Sequence, residues 1–291
     1  MQVFFIKFDF FSKRLIFSLF YVTMQKKGSK MFGAIIGDII GSAYEFHNVK
    51  TKDFPLFTEK SCFTDDTILT CAVADWLFYG GKPEKFLKNW GFLYKDRTYE
   101  NGTIPAFGKN FMKWLETGVS SDAKTNGCVM RLSPVGFWEK NLKTALDKAF
   151  YLTKITHNNR ESLNATRAYI ETMFLIKNNT PVNLIKNCIS TKYGYDMSKS
   201  VDEVRDGYNK FYCSCKNTVP QAIICALDAT SYEDAIRNAI SLGGDSDTLA
   251  CMAGGIAELR FDIPLKIRSQ ACQYIDNNIL SMVRTFYQKV R

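Results

Sequence analysis

Residues 243–259, GGDSDTLACMAGGIAEL, decide the fold. The second half of this stretch is apolar and rich in alanine and glycine, which are small enough to let a neighbouring helix approach closely. Two glycines and a short acidic segment stand before it, a pattern that is typical of the start of a helix. We therefore predict an apolar helix through Leu259 that begins beside the acidic segment and lies at the centre of the fold.

The rest of the chain from Met31 onward is also predicted to be helical. Apolar residues recur there with the spacing of one helix face, and no run alternates convincingly like a strand. Glycine and proline mark the predicted ends: one helix closes at Gly80-Gly81, and others open at Pro105, Pro181 and Pro220. Typical helix lengths then predict an all-α domain of about ten helices.

The composition is that of an ordinary globular protein. The 291 residues are 46% hydrophobic and 23% charged, which excludes the disordered and fibrous classes. We find no proline-rich linker and no internal repeat, so one compact domain is predicted. The net charge is +9, of which residues 1–30 carry +5, leaving +4 on the rest of the chain. Such a small surplus argues against a specific nucleic-acid partner.

Residues 1–30 form a basic, phenylalanine-rich segment that we expect to lie outside the fold. Its uncharged part, residues 15–24, is shorter than the roughly twenty residues that a membrane-spanning helix needs, so no membrane span is predicted. It has no small-residue cleavage site of a signal peptide, and a mitochondrial presequence would be richer in arginine and serine. We interpret it as an extension ahead of a start at Met31, with the domain at residues 31–291.

The nine cysteines form an odd set without CxxC spacing, and several lie inside apolar helical runs. This pattern indicates reduced, mostly buried thiols and favours a cytoplasmic location. A mitochondrial location is the alternative if residues 1–30 are a presequence. Because the chain has only two histidines, we do not expect a four-ligand zinc site.

Two short acidic segments carry the candidate chemistry, Thr64-Asp65-Asp66-Thr67 and Asp245-Ser246-Asp247-Thr248. Each opens an apolar helix, where such residues also serve as ordinary caps. Together the segments offer carboxylates and hydroxyls without nitrogen, the donor set of Mg²⁺, Mn²⁺ or Ca²⁺. If the segments meet, four carboxylates raise one another's pKa unless cations neutralise them. That condition predicts a binuclear centre of hard metal ions.

Three further places are candidates for binding or catalysis. Glu45 ends an apolar stretch and suits an acid, base or gating role, whereas Asp38 is explained as well by capping as by metal binding. Asn126-Gly127 begins a turn that leads into a helix N-terminus, where exposed amides suit a phosphate. The alternative there is an ordinary turn with Arg131 in a structural ion pair. His157 follows in a polar turn and by itself carries little weight.

In this order, the segments resemble the ADP-ribosylglycohydrolase family. The matching stretches are residues 33–42 with Glu45, 63–67, 126–134, 156–157, and 243–248 leading into 253–255. The resemblance implies a single compact, orthogonal multi-helix domain. It also implies a metal-dependent enzyme that hydrolyses the glycosidic bond between ADP-ribose and an acceptor. The partner implied is an ADP-ribosylated protein or other ADP-ribosylated acceptor, and we expect a monomer.

The resemblance also implies roles for individual residues. Two Mg²⁺ ions, or Mn²⁺ in some members, are held by the residues that match Thr64, Asp65, Asp66, Asp245, Asp247 and Thr248. Glu45 matches a mobile glutamate that closes over the metals, and Asp245 or Asp247 orients the attacking water or accepts its proton. Asn126 with Gly127, and His157, match positions that contact the ribose and diphosphate. Lys124-Thr125 stands where many members have an aromatic residue or serine followed by glycine.

Two other functions stay open at this point. The first is a hydrolase of a free ADP-ribose derivative or another nucleotide on the same scaffold. The second is a non-enzymatic member that binds ADP-ribose. Both acidic segments and Glu45 are present, which counts against the second reading because loss of an aspartate is the expected sign of such a change.

Overall fold

The computed structural model describes residues 31–99 and 102–290. Within these residues it has fourteen α-helices, two 3-10 turns and one short β-ribbon, so the predicted all-α fold is confirmed. The extension predicted at residues 1–30 lies outside the described residues. The α-helices are α1 (Phe32–Ser42), α2 (Asp65–Tyr79), α3 (Pro83–Tyr94), α4 (Lys109–Thr117), α5 (Ser133–Trp138), α6 (Leu142–Thr156), α7 (Arg160–Lys177), α8 (Val182–Tyr193), α9 (Val201–Gly207), α10 (Cys215–Leu227), α11 (Tyr232–Ser241), α12 (Ser246–Ala257), α13 (Leu265–Ala271) and α14 (Asn277–Lys289).

The expected count of about ten helices was too low. Three of the helices have only six or seven residues, α5, α9 and α13. Pieces this short span about two turns, so they carry too few apolar positions for a periodic pattern to be recognised. The β-ribbon escaped for the same reason, because strands β1 (Thr98–Tyr99) and β2 (Ile104–Pro105) have two residues each. They pair antiparallel, with Thr98 opposite Pro105.

Glycine and proline were only partly reliable markers of helix ends. Gly80 closes α2 and Pro181 stands directly before α8, as predicted. Pro105 lies in β2 instead of opening a helix, and Pro220 lies inside α10, five residues after its start. A proline in that position leaves the carbonyl of Lys216 without its helical partner, and Lys216 is exposed, so water can satisfy it.

Helices α1 and α12 pack backbone to backbone at the centre of the fold, and every residue of both is buried. A Cβ atom on Gly41 would lie 2.5 Å from the Cα of Asp247, and one on Gly37 would overlap the carbonyl of Ala250. At the other end, a Cβ on Gly33 would lie 2.5 Å from the carbonyl oxygen of Gly254. The two helices therefore run antiparallel, and the predicted central helix is confirmed.

The remaining helices surround this pair in one continuous hydrophobic core. All nine cysteines are free thiols and six of them are buried, in agreement with the sequence-based prediction. In the part of the chain that the structure describes, no helix is both long enough and apolar enough to span a membrane.

Candidate active site

A cavity of about 590 Å³ opens where α2 and α12 begin. This volume lies in the range of pockets that hold small molecules and cofactors. Every site residue predicted from the sequence lines the cavity: Glu45, Thr64, Asp65, Asp66, Asn126, Gly127, His157, Asp245, Asp247 and Thr248. The condition on which the metal prediction depended is therefore met, because the two acidic segments do lie together.

The first acidic segment is held in place by Asp38 of α1. The Asp38 carboxylate accepts hydrogen bonds from the backbone N–H groups of Thr64 (2.9 Å) and Thr67 (3.1 Å). It also accepts from the hydroxyls of Thr64 (2.7 Å) and Thr67. The Thr64 hydroxyl in turn caps α2 by accepting from the N–H of Asp66 (3.3 Å). Asp38 thus has the capping role that the sequence allowed, and it fixes where α2 begins.

The second acidic segment follows two glycines in the left-handed region. Gly243 and Gly244 have φ angles of 76° and 72°, which glycine adopts without strain. A Cβ on Gly244 would lie 2.9 Å from the Tyr208 ring. The side chain of Asn48 clamps this turn: its Oδ1 accepts from the Gly244 N–H (2.8 Å) and its amide donates to the Gly244 carbonyl (3.1 Å). The turn therefore directs Asp245 into the cavity.

Carboxylates from three parts of the chain converge on one wall. Oxygen atoms of Asp38, Asp66 and Asp247 all lie within 4.8 Å of one another, and so do oxygen atoms of Glu45, Asp245 and Asp247. We call these five residues the acidic cluster. Asp247 belongs to both groups, so one carboxylate lies between two sets of oxygen donors.

The acidic cluster is electrostatically unfavourable by itself. Burial raises the pKa of Asp66 well above its usual value, and the nearby Asp38 carboxylate raises it further. Burial likewise raises the pKa of Asp247, with Glu45 adding to the effect, and raises that of the adjoining Asp65 to about 8. A bound cation would reverse these shifts because it favours the ionised carboxylates.

The donor atoms of this wall fit a hard divalent cation. They are oxygens of carboxylates and threonine hydroxyls, the ligands that Mg²⁺ and Mn²⁺ prefer. Thr248 Oγ1 donates to Asp66 Oδ2 (3.1 Å), whereas Asp66 Oδ1 is buried and has no hydrogen-bond partner. A buried carboxylate oxygen without a partner is costly unless a ligand meets it. The individual ligand roles stay a prediction.

A second wall is built from the segment around Asn126. Its backbone pairs with the chain before α10: the N–H of Asn126 donates to the Cys213 carbonyl (2.8 Å), and that of Cys215 donates to the Lys124 carbonyl (2.8 Å). The 3-10 turn Asn126–Cys128 follows, and Met130 and Arg131 beyond it also line the cavity. The Asn126 side chain bridges the two walls by donating to Asp245 Oδ2 (2.6 Å).

His157 lies at the end of α6, between two threonine hydroxyls. Its Nδ1 is 2.8 Å from Thr156 Oγ1, and its Nε2 is 2.8 Å from Thr125 Oγ1. Burial lowers the pKa of His157 to about 3, and the neighbouring Arg131 charge contributes. The ring is therefore neutral at physiological pH.

The sequence left open a structural ion pair of Arg131 as one alternative, and among the described residues no ion pair of Arg131 is found. Its Nη2 donates to the Leu152 carbonyl (3.0 Å) and to Thr156 Oγ1 (2.7 Å), both at the C-terminal end of α6. The last carbonyls of a helix carry partial negative charge, which suits a cation. The guanidinium is fully buried and lines the cavity.

Two phenylalanines that line the cavity were not predicted from the sequence. Phe46 and Phe211 are 46% and 51% exposed, and their rings lie nearly parallel at 9° with centroids 6.4 Å apart. They are 165 residues apart in the chain, so no local pattern could have paired them. Lys109, the first residue of α4, also lines the cavity without having been predicted.

The fold and the cavity define an all-α protein with a buried cluster of oxygen donors on one wall of a pocket. A family model described as ADP-ribosylglycohydrolase matches residues 29–283. Because this match covers most of the chain, the chain belongs to the ADP-ribosylglycohydrolase family. Membership supports a hydrolase that acts on ADP-ribosylated substrates, and the acidic cluster agrees with the metal dependence of the family.

Individual relatives are distant. ADP-ribosylarginine hydrolase Tri1 of Pseudomonas putida (strain GB-1) is 24% identical over 267 residues, which cover 80% of this chain and 69% of that protein. An uncharacterized protein of Archaeoglobus fulgidus is 24% identical over 227 residues, covering 69% of this chain and 73% of that protein. Among solved structures, a chain of an ADP-ribosylglycohydrolase-related protein complex superposes with a TM-score of 0.66 at 20% identity, covering 90% of this chain and 97% of that chain. That similarity supports the fold.

Proposed function

We propose that this protein hydrolyses the glycosidic bond between ADP-ribose and an acceptor, with two divalent cations, Mg²⁺ or Mn²⁺, in the cavity. One observation carries the proposal: two groups of carboxylates that share Asp247 lie within the reach of single ions, in a chain of this family. Residues that would hold the cations are Thr64, Asp65, Asp66, Asp245, Asp247 and Thr248. When bound, the cations supply positive charge that binds ribose hydroxyls and acidifies a water molecule.

The side chains of the cavity divide the remaining tasks. Asp245 or Asp247 orients the attacking water and accepts its proton, and Asn126 keeps the Asp245 carboxylate in place through its hydrogen bond of 2.6 Å. The bond from the anomeric carbon to the acceptor breaks through an oxocarbenium-like state, which nearby carboxylates stabilise electrostatically. The hydroxyl of the attacking water adds to the anomeric carbon, and the proton that the water loses balances the one that the departing acceptor takes up. Glu45, at the edge of the acidic cluster, would close over the metals. The turn at Asn126-Gly127, together with His157, binds the ribose and diphosphate.

The test is release of ADP-ribose from arginine-, serine- and DNA-linked substrates, each with Mg²⁺, with Mn²⁺ and with EDTA. The P. putida relative is named for ADP-ribosylarginine, so we propose the arginine linkage as the first to examine. Release that requires a cation would support the proposal and identify the acceptor. Calorimetric titration with Mg²⁺ should show two sites. Absence of release from every substrate, with cations bound, would favour hydrolysis of a free nucleotide derivative or a purely binding role.

A further inference from the structure

We propose that Thr125 binds the substrate through its hydroxyl hydrogen, which three residues behind it direct into the cavity. These residues are Arg131, Thr156 and His157, and with Thr125 we call them the hydroxyl chain. The identity of the ligand rests on the proposed function: the Thr125 hydroxyl donates its hydrogen bond to an oxygen of the ADP-ribose moiety. Arg131 fixes the direction of the first hydrogen bond in the hydroxyl chain, and the direction of the later ones is part of the proposal.

The chain of hydrogen bonds begins at Arg131. A guanidinium carries only N–H donors, so the Thr156 hydroxyl must accept the bond of 2.7 Å from Arg131 Nη2. The same Nη2 also donates to the Leu152 carbonyl at 3.0 Å, which fixes the position of the guanidinium. One lone pair of Thr156 Oγ1 is thus occupied, and the hydroxyl hydrogen is free to point elsewhere.

The hydrogen of Thr156 determines the tautomer of His157. Thr156 Oγ1 lies 2.8 Å from His157 Nδ1, and in the proposed order the hydroxyl donates to this nitrogen. A neutral imidazole has one N–H group and one acceptor nitrogen. Since Nδ1 accepts from Thr156, the proton of His157 is on Nε2. The low pKa of His157, about 3, agrees with a ring that stays neutral.

The last link reaches the cavity at Thr125. Thr125 Oγ1 lies 2.8 Å from His157 Nε2, and in the proposed order Nε2–H donates to this hydroxyl. The hydroxyl hydrogen of Thr125 is then available, and Thr125 lines the cavity whereas Thr156 does not. A donor held in this way loses little freedom when a ligand arrives, which favours binding.

The backbone around Thr125 is held firmly enough to keep this geometry. The pairing of residues 124–126 with residues 213–215 lies on both sides of it. The thiols of Cys128 and Cys215 also approach the Thr125 carbonyl, at 3.4 and 3.2 Å.

The tautomer can be measured without a substrate. The chain has two histidines, so a His47→Gln variant assigns the imidazole ¹⁵N signals of His157 by NMR. We expect the pattern of a neutral ring protonated at Nε2, unchanged between pH 5 and pH 8. The Thr156→Val variant removes the hydroxyl that points at Nδ1 and should change this pattern, with the melting temperature as a check on folding. A ring protonated at Nδ1, or a cationic ring, would overturn the proposal.

The binding role is tested by titrating ADP-ribose into the protein with saturating Mg²⁺, using Thr125→Val and Thr125→Ser as a matched pair. Valine keeps the shape of the side chain without its hydroxyl, and we expect its Kd to rise about tenfold, the usual cost of one hydrogen bond to a charged acceptor. Serine should keep most of the affinity. With an ADP-ribosylated substrate, the valine variant should raise KM with little change in kcat.

The outcomes separate this inference from the proposed function. Equal affinities of Thr125→Val and the unmodified protein would overturn the inference while leaving the enzyme activity unaffected. If the unmodified protein does not bind ADP-ribose, the proposed function is wrong, and so is the ligand proposed for Thr125. The tautomer of His157 still tests the hydroxyl chain in that case, because no ligand enters that experiment.

Discussion

The acidic cluster and the hydroxyl chain face the same cavity, but they differ in how their polar groups are satisfied. In the acidic cluster, burial and like charges raise the pKa of several carboxyl groups, and Asp66 Oδ1 has no partner. In the hydroxyl chain, consecutive groups lie within hydrogen-bond distance of one another from Arg131 to Thr125. The comparison indicates that a cation completes the first wall, whereas in the second the protein links neighbouring groups and leaves Arg131 Nε and Nη1 buried without a hydrogen-bond partner.

The largest effect is expected from removing a carboxylate of the acidic cluster. Asp66→Ala or Asp247→Ala should lower turnover at least about a hundredfold. Even mutation of a residue that only orients a metal ligand lowers metal affinity or activity about 10- to 100-fold. Cation binding measured by calorimetry should weaken while circular dichroism shows the same helix content. Asp262→Ala, at an exposed site outside the cavity, is the matched control. If both cluster variants keep full activity, the metal site lies elsewhere.

The free energy of unfolding should depend on pH through the carboxyl groups of the acidic wall. Folded Asp65 keeps its proton up to about pH 8, where the unfolded chain has already lost it, so without cations the free energy of unfolding falls as the pH rises from about 4 to about 8. Melting curves in EDTA should therefore shift down between pH 5 and pH 8, by roughly 2–4 °C for each kcal/mol lost.

Saturating Mg²⁺ should make this decline smaller, because the cation favours ionised carboxylates. Part of it should remain, since burial also raises the pKa of Glu258 to about 8 and Glu258 does not line the cavity. A melting temperature with the same pH dependence in EDTA and in Mg²⁺ would contradict a cation in the acidic cluster.

A smaller effect is expected at Asn48, which joins the loop of Glu45 to the turn before Asp245. Its amide donates to the carbonyls of Glu45 (2.9 Å) and Gly244 (3.1 Å). Asn48→Ala should lower kcat/KM about tenfold, which is the low end of the effect for residues that hold metal ligands in place. It should weaken cation binding less than Asp247→Ala does. Thr51→Ala, exposed in the same loop, is the control. Identical kinetics of the two variants would show that Glu45 needs no clamp.

The smallest effect is expected from deleting residues 1–30. Both walls of the cavity are made by residues 45–248, and we predict the extension to lie outside the fold. Activity and melting temperature should stay about the same in the shortened protein. A clear loss of either would show that the segment is part of the domain.

Local patterns predicted those parts of the molecule that local chemistry determines. The acidic segments precede helices because Thr64 caps α2 and the glycines before Asp245 allow a sharp turn. The small residues of α12 predicted its central place. The helix start predicted at Pro220 shows the limit of such patterns. The helix continues through this proline because the packing of its apolar side chains outweighs one lost hydrogen bond.

The hydroxyl chain could not have been predicted from the sequence. Thr125 and His157 are 32 residues apart, and Arg131 meets them only because α6 ends beside the 3-10 turns. An arginine in an apolar segment suggested an ion pair, whereas its actual partners are a helix-end carbonyl and a hydroxyl. Direction of a hydroxyl hydrogen depends on every partner at once, so it follows only from the assembled structure.

The close contact between α1 and α12 also affects how the protein opens. Gly41 lies against the backbone of Asp247, so the candidate metal ligands belong to the same cooperative unit as the centre of the core. Amide groups in such a unit exchange their hydrogens with solvent only when the whole domain unfolds, unlike those of loops and frayed ends. Cation binding should therefore slow hydrogen exchange most in the slowest-exchanging amides of α1 and α12, where loss of the ion and loss of the fold are a single event.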